Sequence, residues 1–242
     1  MDEVQEREKT AERTAERTAE RTVERTAART ARTGKTAERA GLRILTWNVN
    51  GIRARLRKKE LTSVLLASPP YDVICLQETK ANEEQVSLPP ALAKAFPFRA
   101  WSRNDGESQR KGLSGTSVWS RRPFLRALPS PEPLPEGRLC AVEFPHCTVV
   151  SVYVPNSGSK QRAYRVTAWD AMFRNFLTEM RAQKKRVVVC GDFNVCHEDI
   201  DIHNPTRSRN RVAGFLNVER QQFRRYFALG FYDAFRCLYP TQ

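Results

Sequence analysis

The stretch Val187-Val188-Val189-Cys190-Gly191-Asp192-Phe193-Asn194 passes from a short apolar run directly into a glycine, an aspartate and an asparagine. An apolar run of this length, rich in β-branched residues, is typical of a strand buried in a sheet. Asp192 and Asn194 therefore stand where the predicted strand ends. A single ending of this kind is ordinary, because Asp and Asn suit turns, and it becomes informative when several strands of one chain end alike.

Three further apolar runs end in acidic, amide or phenol side chains. When strands share a pair of sheets, their ends converge on one rim, so four such endings in one chain favour a site over unrelated turns. The runs and their endings are 42–47 with Asn48 and Asn50 after it, 73–76 with Glu78 after it, and 148–154 with Tyr153 inside the run and Asn156 after it.

Segments with helical periodicity lie between these predicted strands, and together they predict the fold class. Between the runs at 148–154 and 187–190, apolar residues recur at three- and four-residue steps and define one helix face. Shorter helices are predicted over 59–67 and 218–229, and further strands over 116–119 and 139–144. This mixture predicts an α/β fold built as a layered sandwich. The long helix face consists of Val166, Trp169, Phe173, Phe176, Leu177 and Met180.

The oxygen-bearing side chains at the strand ends suit a hard metal ion. Mg²⁺ is often held by only one or two carboxylates, with waters and substrate phosphates completing its octahedron. Glu78 is the best candidate ligand, Asn48 is a nearby oxygen donor, and Asp192 is suited to orient or deprotonate a water. Such a metal polarises a phosphoryl group and stabilises charge on the leaving oxygen. The side chains suited to hold phosphate oxygens are Asn194, Asn156 and Tyr153.

Other chemistries and locations have less support. No G-x-S-x-G or G-x-x-x-x-G-K-[ST] motif is present, which disfavours acyl transfer and P-loop phosphoryl transfer. No apolar run approaches the ~18 residues of a membrane-spanning helix, so we expect no membrane partner. The six cysteines form no C-x-x-C pair, and we expect them to be buried reduced thiols of an intracellular protein.

The charge of the chain points to an anionic partner. Lys and Arg number 41 against 27 Asp and Glu, a formal net charge of +14. The two signs nearly balance in residues 1–40, so the excess lies almost entirely in residues 41–242. A basic working surface on a folded domain favours nucleic acid first and an acidic membrane surface second. Basic residues cluster over 53–59 and 207–225, either as phosphate contacts or as solvated faces.

Residues 1–40 repeat the tetrad Thr-Ala-Glu-Arg. The apolar residues of this segment are almost all alanine, so none of its faces can bury against a core. We therefore predict a disordered tail over residues 1–40 and a folded domain over 41–242. The Arg and Thr content leaves organelle import open, although transit peptides are poor in acidic residues. Without import, we expect an intracellular protein that is nuclear if its source is eukaryotic.

Four motifs stand in order along the chain: LTWNVNGIR at 45–53, CLQETK at 75–80, YVPN at 153–156 and CGDFNV at 190–195. Together with KGLSG at 111–115 and AGF at 213–215, they resemble the exonuclease III / apurinic-apyrimidinic (AP) endonuclease family. The resemblance runs in register from about residue 42 to residue 240. It implies the four-layer α/β sandwich of the endonuclease–exonuclease–phosphatase fold.

The resemblance implies a role for each matching residue. Glu78 binds the divalent metal, with Asn50 close by. Asn48 supports the site, and Asp192 activates the attacking water. The residues implied to contact the scissile phosphate are Asn194, Asn156 and Tyr153, and those implied to contact DNA are Arg138, Lys80, Arg207, Arg209 and Arg211.

The implied reaction is hydrolysis of the phosphodiester 5′ to an abasic site in double-stranded DNA during base-excision repair. It depends on Mg²⁺, for which Mn²⁺ can substitute. The resemblance also implies 3′–5′ exonuclease and 3′-phosphodiesterase activity. We expect the protein to act as a monomer.

The family pattern continues into a G-W-R-x-D-Y motif and a terminal S-D-H, which this sequence does not contain. None of His146, His197 and His203 stands in an S-D-H context. We therefore expect a fold that is incomplete at its C-terminal part, either as a fragment or as a catalytically impaired relative that binds DNA. Another phosphodiesterase of the same fold is the remaining alternative: a retroelement endonuclease, a deoxyribonuclease I-like enzyme or a lipid-headgroup phosphatase.

Overall fold

The computed structural model describes residues 41–102, 114–131, 137–158, 161–183 and 185–242. The predicted tail over residues 1–40 and the first three residues of the motif at 111–115 lie outside these ranges. Among the helices in these ranges, none combines the length and apolar character needed to cross a bilayer.

The strands form two four-stranded sheets. The first sheet contains, in order across it, β1 (Ile44–Asn48), β2 (Val73–Gln77), β4 (Thr116–Ser120) and β3 (Phe98–Ser102). The second contains β5 (Arg126–Leu128), β6 (Leu139–Glu143), β7 (Thr148–Tyr153) and β8 (Val187–Asp192). The pairs β1–β2 and β7–β8 are parallel, and the other neighbours are antiparallel. Parallel pairing places the carboxyl ends of β1 and β2 side by side, and likewise those of β7 and β8.

The helices are mostly short. Before β3 the chain forms α1 (Ile52–Arg57), α2 (Glu60–Leu65), a 3₁₀ turn (Glu83–Gln85) and α3 (Pro90–Ala95). Between β7 and β8 it is helical in three consecutive pieces, α4 (Arg162–Tyr164), a π-helical segment (Arg165–Trp169) and α5 (Asp170–Ala182). After β8 come a 3₁₀ turn (Asp199–Asp201), α6 (Pro205–Ser208), α7 (Asn217–Ala228) and α8 (Ala234–Leu238).

The described chain divides into two compact units. The sheet unit runs from residue 41 to Pro155 and from Glu179 to Phe193, and it contains both sheets with α1 to α3. The helical unit comprises Asn156–Thr178 and Asn194–Gln242. Its core includes Trp169 stacked on Phe173 at 6.1 Å, with Tyr226 edge-on to Phe173 at 5.6 Å.

The core of the sheet unit explains why β2 is apolar at nearly every position. Its five residues are all buried. Val73 and Cys75 pack in one cluster with residues of the second sheet, including Val149. Ile74 and Leu76 pack in another cluster with the helices that cover the first sheet. Because successive side chains of a strand point to opposite faces, a strand covered on both faces is apolar throughout.

The predicted α/β fold class is confirmed. Each predicted strand and the two shorter helices at 59–67 and 218–229 are present within two residues of their expected bounds, and the predicted long helix face lies within the helical stretch 162–182. The periodicity did not predict β3, the three-residue β5, α1, α3, α6 or α8. All six cysteines are free thiols; Cys75 and Cys140 are buried, and the other four are half-buried.

Candidate active site

Two parallel strands of the first sheet bring together the polar endings at Asn48 and Glu78. The register pairs Asn48 with Gln77, so Glu78 follows directly beside the end of β1. The side chain of Asn48 donates a hydrogen bond from Nδ2 to Glu78 Oε1 at 2.8 Å. The sequence prediction that these strand ends converge is therefore confirmed for this pair.

The second sheet supplies Asp192 at the end of β8. The same Asn48 Nδ2 donates to Asp192 Oδ2 at 2.8 Å, so one amide nitrogen holds a carboxylate from each sheet. Asn48 Oδ1 meanwhile accepts the backbone N–H of Asn50 at 3.0 Å. The metal-ligand role of Asn48 stays a prediction, and in this geometry its oxygen accepts the N–H of Asn50 rather than facing the two carboxylates. Asn48 is an orienting donor.

Oxygen atoms of Glu78 and Asn50 converge on one cationic group. Lys80 Nζ lies 3.0 Å from Glu78 Oε2 and also donates to Asn50 Oδ1. The ammonium thus marks a point where a carboxylate and an amide oxygen meet around positive charge. One carboxylate, one neutral oxygen and waters form a donor set that suits Mg²⁺, so these residues fit the metal that the family pattern implies. No group of three or more His, Cys, Asp or Glu positioned to hold a metal occurs among the described residues.

The environment keeps Glu78 ionised. Burial opposes ionisation, but the hydrogen bond from Asn48 and the ammonium of Lys80 outweigh it and hold the pKa of Glu78 below its ordinary value. The phenol of Tyr153 is also hydrogen-bonded to Glu78. Burial and then the negative charge of Glu78 raise the pKa of Tyr153 to about 12. Tyr153 therefore remains a protonated donor at neutral pH.

The backbone at these positions adopts an uncommon conformation. Non-glycine residues with positive φ are rare and cluster at functional sites. Seven such residues occur in the described chain, and four of them are residues that the sequence assigned to the site. Glu78 and Lys80 have φ values of 50° and 51°, although neither residue type favours this region. The other two are Asn50 and Asn194.

A glycine makes room for the loop that carries Glu78 and Lys80. Gly115 has φ of 88°, and a Cβ added to it would lie 2.2 Å from Thr79 Oγ1. The backbone of this loop is held from the same side, since the N–H of Thr79 donates to the carbonyl of Gly115 and that of Lys80 to Ser114. The glycine of the motif at 111–115 therefore positions the strand-end loop.

The helical unit brings Asn156 and Asn194 together. Asn156 Nδ2 donates to Asn194 Oδ1 at 3.1 Å. Asn156 Oδ1 accepts the backbone N–H of Gly158 at 2.9 Å, which fixes the side chain of Asn156. In the sequence Asn156 follows Tyr153 by three residues, and Asn194 follows Asp192 by two. Their phosphate-contacting roles stay predictions.

The predicted DNA-contacting arginines differ in exposure. Arg138 is only 2% exposed, and its guanidinium lies 5.0 Å from the centre of the Tyr153 ring. The DNA contact implied for Arg138 stays a prediction, and in this structure its guanidinium is buried against Tyr153. Arg207, Arg209 and Arg211 are exposed, and Arg209 pairs with Asp199.

The fold agrees with the comparisons to known proteins. A family model described as "Endonuclease/Exonuclease/phosphatase family" matches residues 45–241. The chain belongs to this family. An exodeoxyribonuclease of Bacillus subtilis is 39% identical over 204 residues, covering 82% of this chain and 76% of the relative. The DNA repair nuclease APEX1 of Danio rerio is 37% identical over 215 residues, covering 87% of this chain and 67% of the relative.

Solved structures show the same family fold. A 3′ phosphatase from Neisseria, bound to a product DNA hairpin, superposes with a TM-score of 0.69 at 26% identity. The match covers 83% of this chain and 76% of that one. The resemblance inferred from the four motifs is therefore confirmed.

The sequence did not reveal two features close to Glu78 and Lys80. Gln77 lies buried beneath Glu78 and donates to Ser151 Oγ of β7 at 3.0 Å, a polar link between the two sheets. A cavity of about 670 Å³ lies beside Lys80 and is lined by basic, polar and apolar residues. The sequence singled out Arg53, Arg57 and Lys80, but it did not indicate that residues 51–57, 79–80 and 85–87 enclose one cavity. The lining includes Gly51, Arg53, Arg57, Thr79, Lys80 and Gln85.

Proposed function

We propose that this member of the family is a metal-dependent DNA repair nuclease that hydrolyses the phosphodiester 5′ to an abasic site in duplex DNA. One observation carries the proposal: a single nitrogen of Asn48 holds Glu78 and Asp192, which come from different sheets, side by side. The similarity to an exodeoxyribonuclease and to a DNA repair nuclease supports DNA as the substrate. Because all three residues come from one chain, the proposal includes action as a monomer.

Glu78 and Asn50 would hold the divalent metal, with waters and substrate phosphate as its other ligands. Both present an oxygen to the position that the Lys80 ammonium occupies. When bound, Mg²⁺, or Mn²⁺ in its place, polarises the phosphoryl group and offsets negative charge on the leaving oxygen. The ionised state of Glu78 favours this binding, since its pKa lies below the ordinary value.

Asp192 would act on the attacking water. Asn48 orients its carboxylate by the 2.8 Å hydrogen bond to Oδ2, and an oriented carboxylate can accept a proton from water. In this step the water oxygen forms a bond to phosphorus, and its proton passes to Asp192. One P–O ester bond breaks, and the leaving oxygen takes up a proton. A positioned base of this kind contributes roughly 10²–10⁴-fold in rate.

Hydrogen-bond donors would hold the scissile phosphate. Tyr153 remains protonated at neutral pH, because the pKa of its phenol is raised to about 12. The side-chain amides of Asn156 and Asn194 contact each other, and an amide NH₂ is a hydrogen-bond donor that suits phosphate oxygens. Donors aimed at the developing charge of a transition state stabilise it more than they stabilise the substrate.

The test uses a duplex oligonucleotide with one abasic site, incubated with the protein in Mg²⁺ or in EDTA. We expect metal-dependent incision 5′ to the lesion, and loss of incision in Glu78→Ala and Asp192→Asn. An undamaged duplex and a phosphoinositide vesicle are assayed in parallel. Faster turnover of either one would contradict the proposal and favour another phosphodiesterase of the fold. A folded chain that binds the duplex without cutting it would indicate an impaired relative.

A second activity, removal of blocking groups from 3′ ends, is favoured by the similarity to an exodeoxyribonuclease and to a 3′ phosphatase. The same carboxylates would serve both reactions, since each cleaves a phosphate ester bond. A duplex with a recessed 3′-phosphate tests this activity. We expect Asp192→Asn to lower phosphate release and incision by similar factors, and a much smaller loss of one of them would contradict a shared site.

A further inference from the structure

A buried cluster of charges lies within the helical unit. Arg165, at the start of the π-helical segment, is 3% exposed, Asp170 is 1% exposed and Glu219 of α7 is fully buried. Arg165 Nε lies 3.4 Å from Asp170 Oδ1, and its Nη1 lies 3.8 Å from Glu219 Oε1. Charges are costly to remove from water unless they are paired, and here each carboxylate lies close to the guanidinium of Arg165.

The cluster is hydrogen-bonded to both asparagine-bearing loops. Arg165 Nη1 donates to the backbone carbonyl of Asn194 at 3.0 Å. On the other side, the buried hydroxyl of Ser157, the residue after Asn156, donates to Glu219 Oε1. Glu219 Oε2 accepts the backbone N–H of Leu216 at 2.9 Å, which anchors the carboxylate at the start of α7. Glu219 therefore connects to Asn156 through its neighbour and to Asn194 through Arg165.

Stability alone does not explain such a cluster. Replacing a buried ion pair by apolar residues of similar volume is often neutral or stabilising. The charged groups supply directional hydrogen bonds, because a guanidinium and a carboxylate each hold their partners in a defined geometry. Here the charged groups fix two loops, one carrying Asn156 and the other carrying Asn194. The side chains of these two asparagines are hydrogen-bonded to each other.

We propose that Glu219 is a positioning residue that sets the placement of Asn156 and Asn194 through Ser157 and Arg165. Its carboxylate holds both loops at once, so the two amides present one hydrogen-bonding surface. The catalytic consequence rests on the proposed function, in which these amides hold the scissile phosphate. The structural consequence, a fixed hydrogen bond between the two amides, does not depend on that function.

The structural part is tested by NMR on protein labelled with ¹⁵N-asparagine. Asn194→Ala gives the side-chain amide resonances of Asn156 when its hydrogen bond to Asn194 is absent. We expect Glu219→Gln and Ser157→Ala to move the Asn156 resonances toward those positions. Ser157→Ala removes only one hydroxyl and keeps every charge, so it is the variant that retains the fold if Glu219→Gln does not. Phe173→Leu, a core change in the same unit, is the control that should leave these resonances in place. Unchanged Asn156 resonances in Ser157→Ala would overturn the proposal.

The catalytic part is tested on the abasic duplex in Mg²⁺. We expect Glu219→Gln to lower kcat by about 10- to 100-fold with little change in KM, since misplacing a catalytic contact by about 1 Å can cost 10²-fold. Combining Glu219→Gln with Asn194→Ala should lower kcat no further than Asn194→Ala alone. Additive losses would show an independent structural role and overturn the proposal. If the wild-type chain does not incise, the proposed function fails, and the NMR result alone decides the positioning role.

Discussion

Asn48 bridges two carboxylates that would otherwise repel each other. Its amide nitrogen donates to Glu78 and to Asp192, while its oxygen takes up the backbone N–H of Asn50. An asparagine is suited to this position because it offers two donor hydrogens on one side and an acceptor on the other. An aspartate there would add a third negative charge.

Replacing Asp192 tests its role as the group that accepts a proton from water. We expect Asp192→Asn to lower kcat for abasic-site incision by roughly 10²–10⁴-fold, because the amide cannot act as a base. KM should change little. The matched control is Glu179→Gln, which also neutralises one acidic side chain but lies exposed on α5. A loss below tenfold would contradict the role of Asp192.

The pH dependence of stability tests the environment of Glu78. Its folded-state pKa is lowered, so its ionised form favours the folded state above the unfolded pKa of about 4.3. This stabilisation is lost as pH falls through the folded-state pKa. In metal-free urea titrations, wild type should therefore exceed Glu78→Gln in free energy of unfolding at pH 7, by a margin that shrinks toward pH 3.5. A margin that grows as pH falls would contradict this environment.

The sequence was sufficient to predict that these strand ends meet, but not how their side chains are oriented. Asn48, Glu78 and Asp192 stand at strand ends, which apolar runs reveal. Periodicity carries no information on which end of an amide faces a carboxylate, so the orientation of Asn48 required the structure. The burial of Arg138 against Tyr153 was also hidden, because charge alone predicts exposure and stacking on a ring does not show in the sequence.

At the scale of elements, β8 depends on a glycine just before Asp192. Gly191 has φ of 148°, and a Cβ there would lie 1.9 Å from the carbonyl oxygen of Val152 on β7. That carbonyl belongs to the neighbouring strand, so it cannot move without disturbing the sheet. The close approach aligns the ends of β7 and β8, where Tyr153 pairs with Asp192.

Filling this space should disrupt the sheet. We expect Gly191→Ala to lower the free energy of unfolding by about 3 kcal/mol or more, because strain and a backbone clash add. Gly41→Ala is the matched control, since nothing lies within 4 Å of its added Cβ. Urea unfolding of both variants checks the difference. Equal stability of the two would contradict the tight pairing of β7 and β8.

Elements differed in how far the sequence could predict them. Strands covered on both faces, such as β2, stand out as apolar runs. β5 has three residues and β3 begins with an exposed Phe98 followed by Arg99, so neither forms a clear apolar run or a clean alternation. The π-helical segment was also beyond prediction, since the apolar spacing of the surrounding helix continues through it.

At the scale of the whole molecule, the net charge of +14 favours a polyanionic partner. The contribution of this charge to DNA affinity should weaken as the salt concentration rises, because each phosphate that a cationic side chain neutralises releases counterions. We expect Arg207→Ala and Arg211→Ala each to reduce the slope of log K against log salt for duplex binding by about one. Arg126→Ala, an exposed arginine on β5 paired with Glu143, is the control and should leave the slope unchanged. An unchanged slope in the first two variants would contradict a DNA contact there.

The central claim is that Asn48 assembles one hydrolytic site from the ends of two sheets. The most direct test is single-turnover incision of an abasic duplex in Mg²⁺ by wild type and by Asn48→Leu, which keeps the branched shape of the side chain but removes the donor. We expect metal-dependent incision by wild type and a loss of roughly 10²–10³-fold in a folded Asn48→Leu variant. Incision at an undiminished rate by that variant, or incision by wild type in EDTA, would contradict the claim.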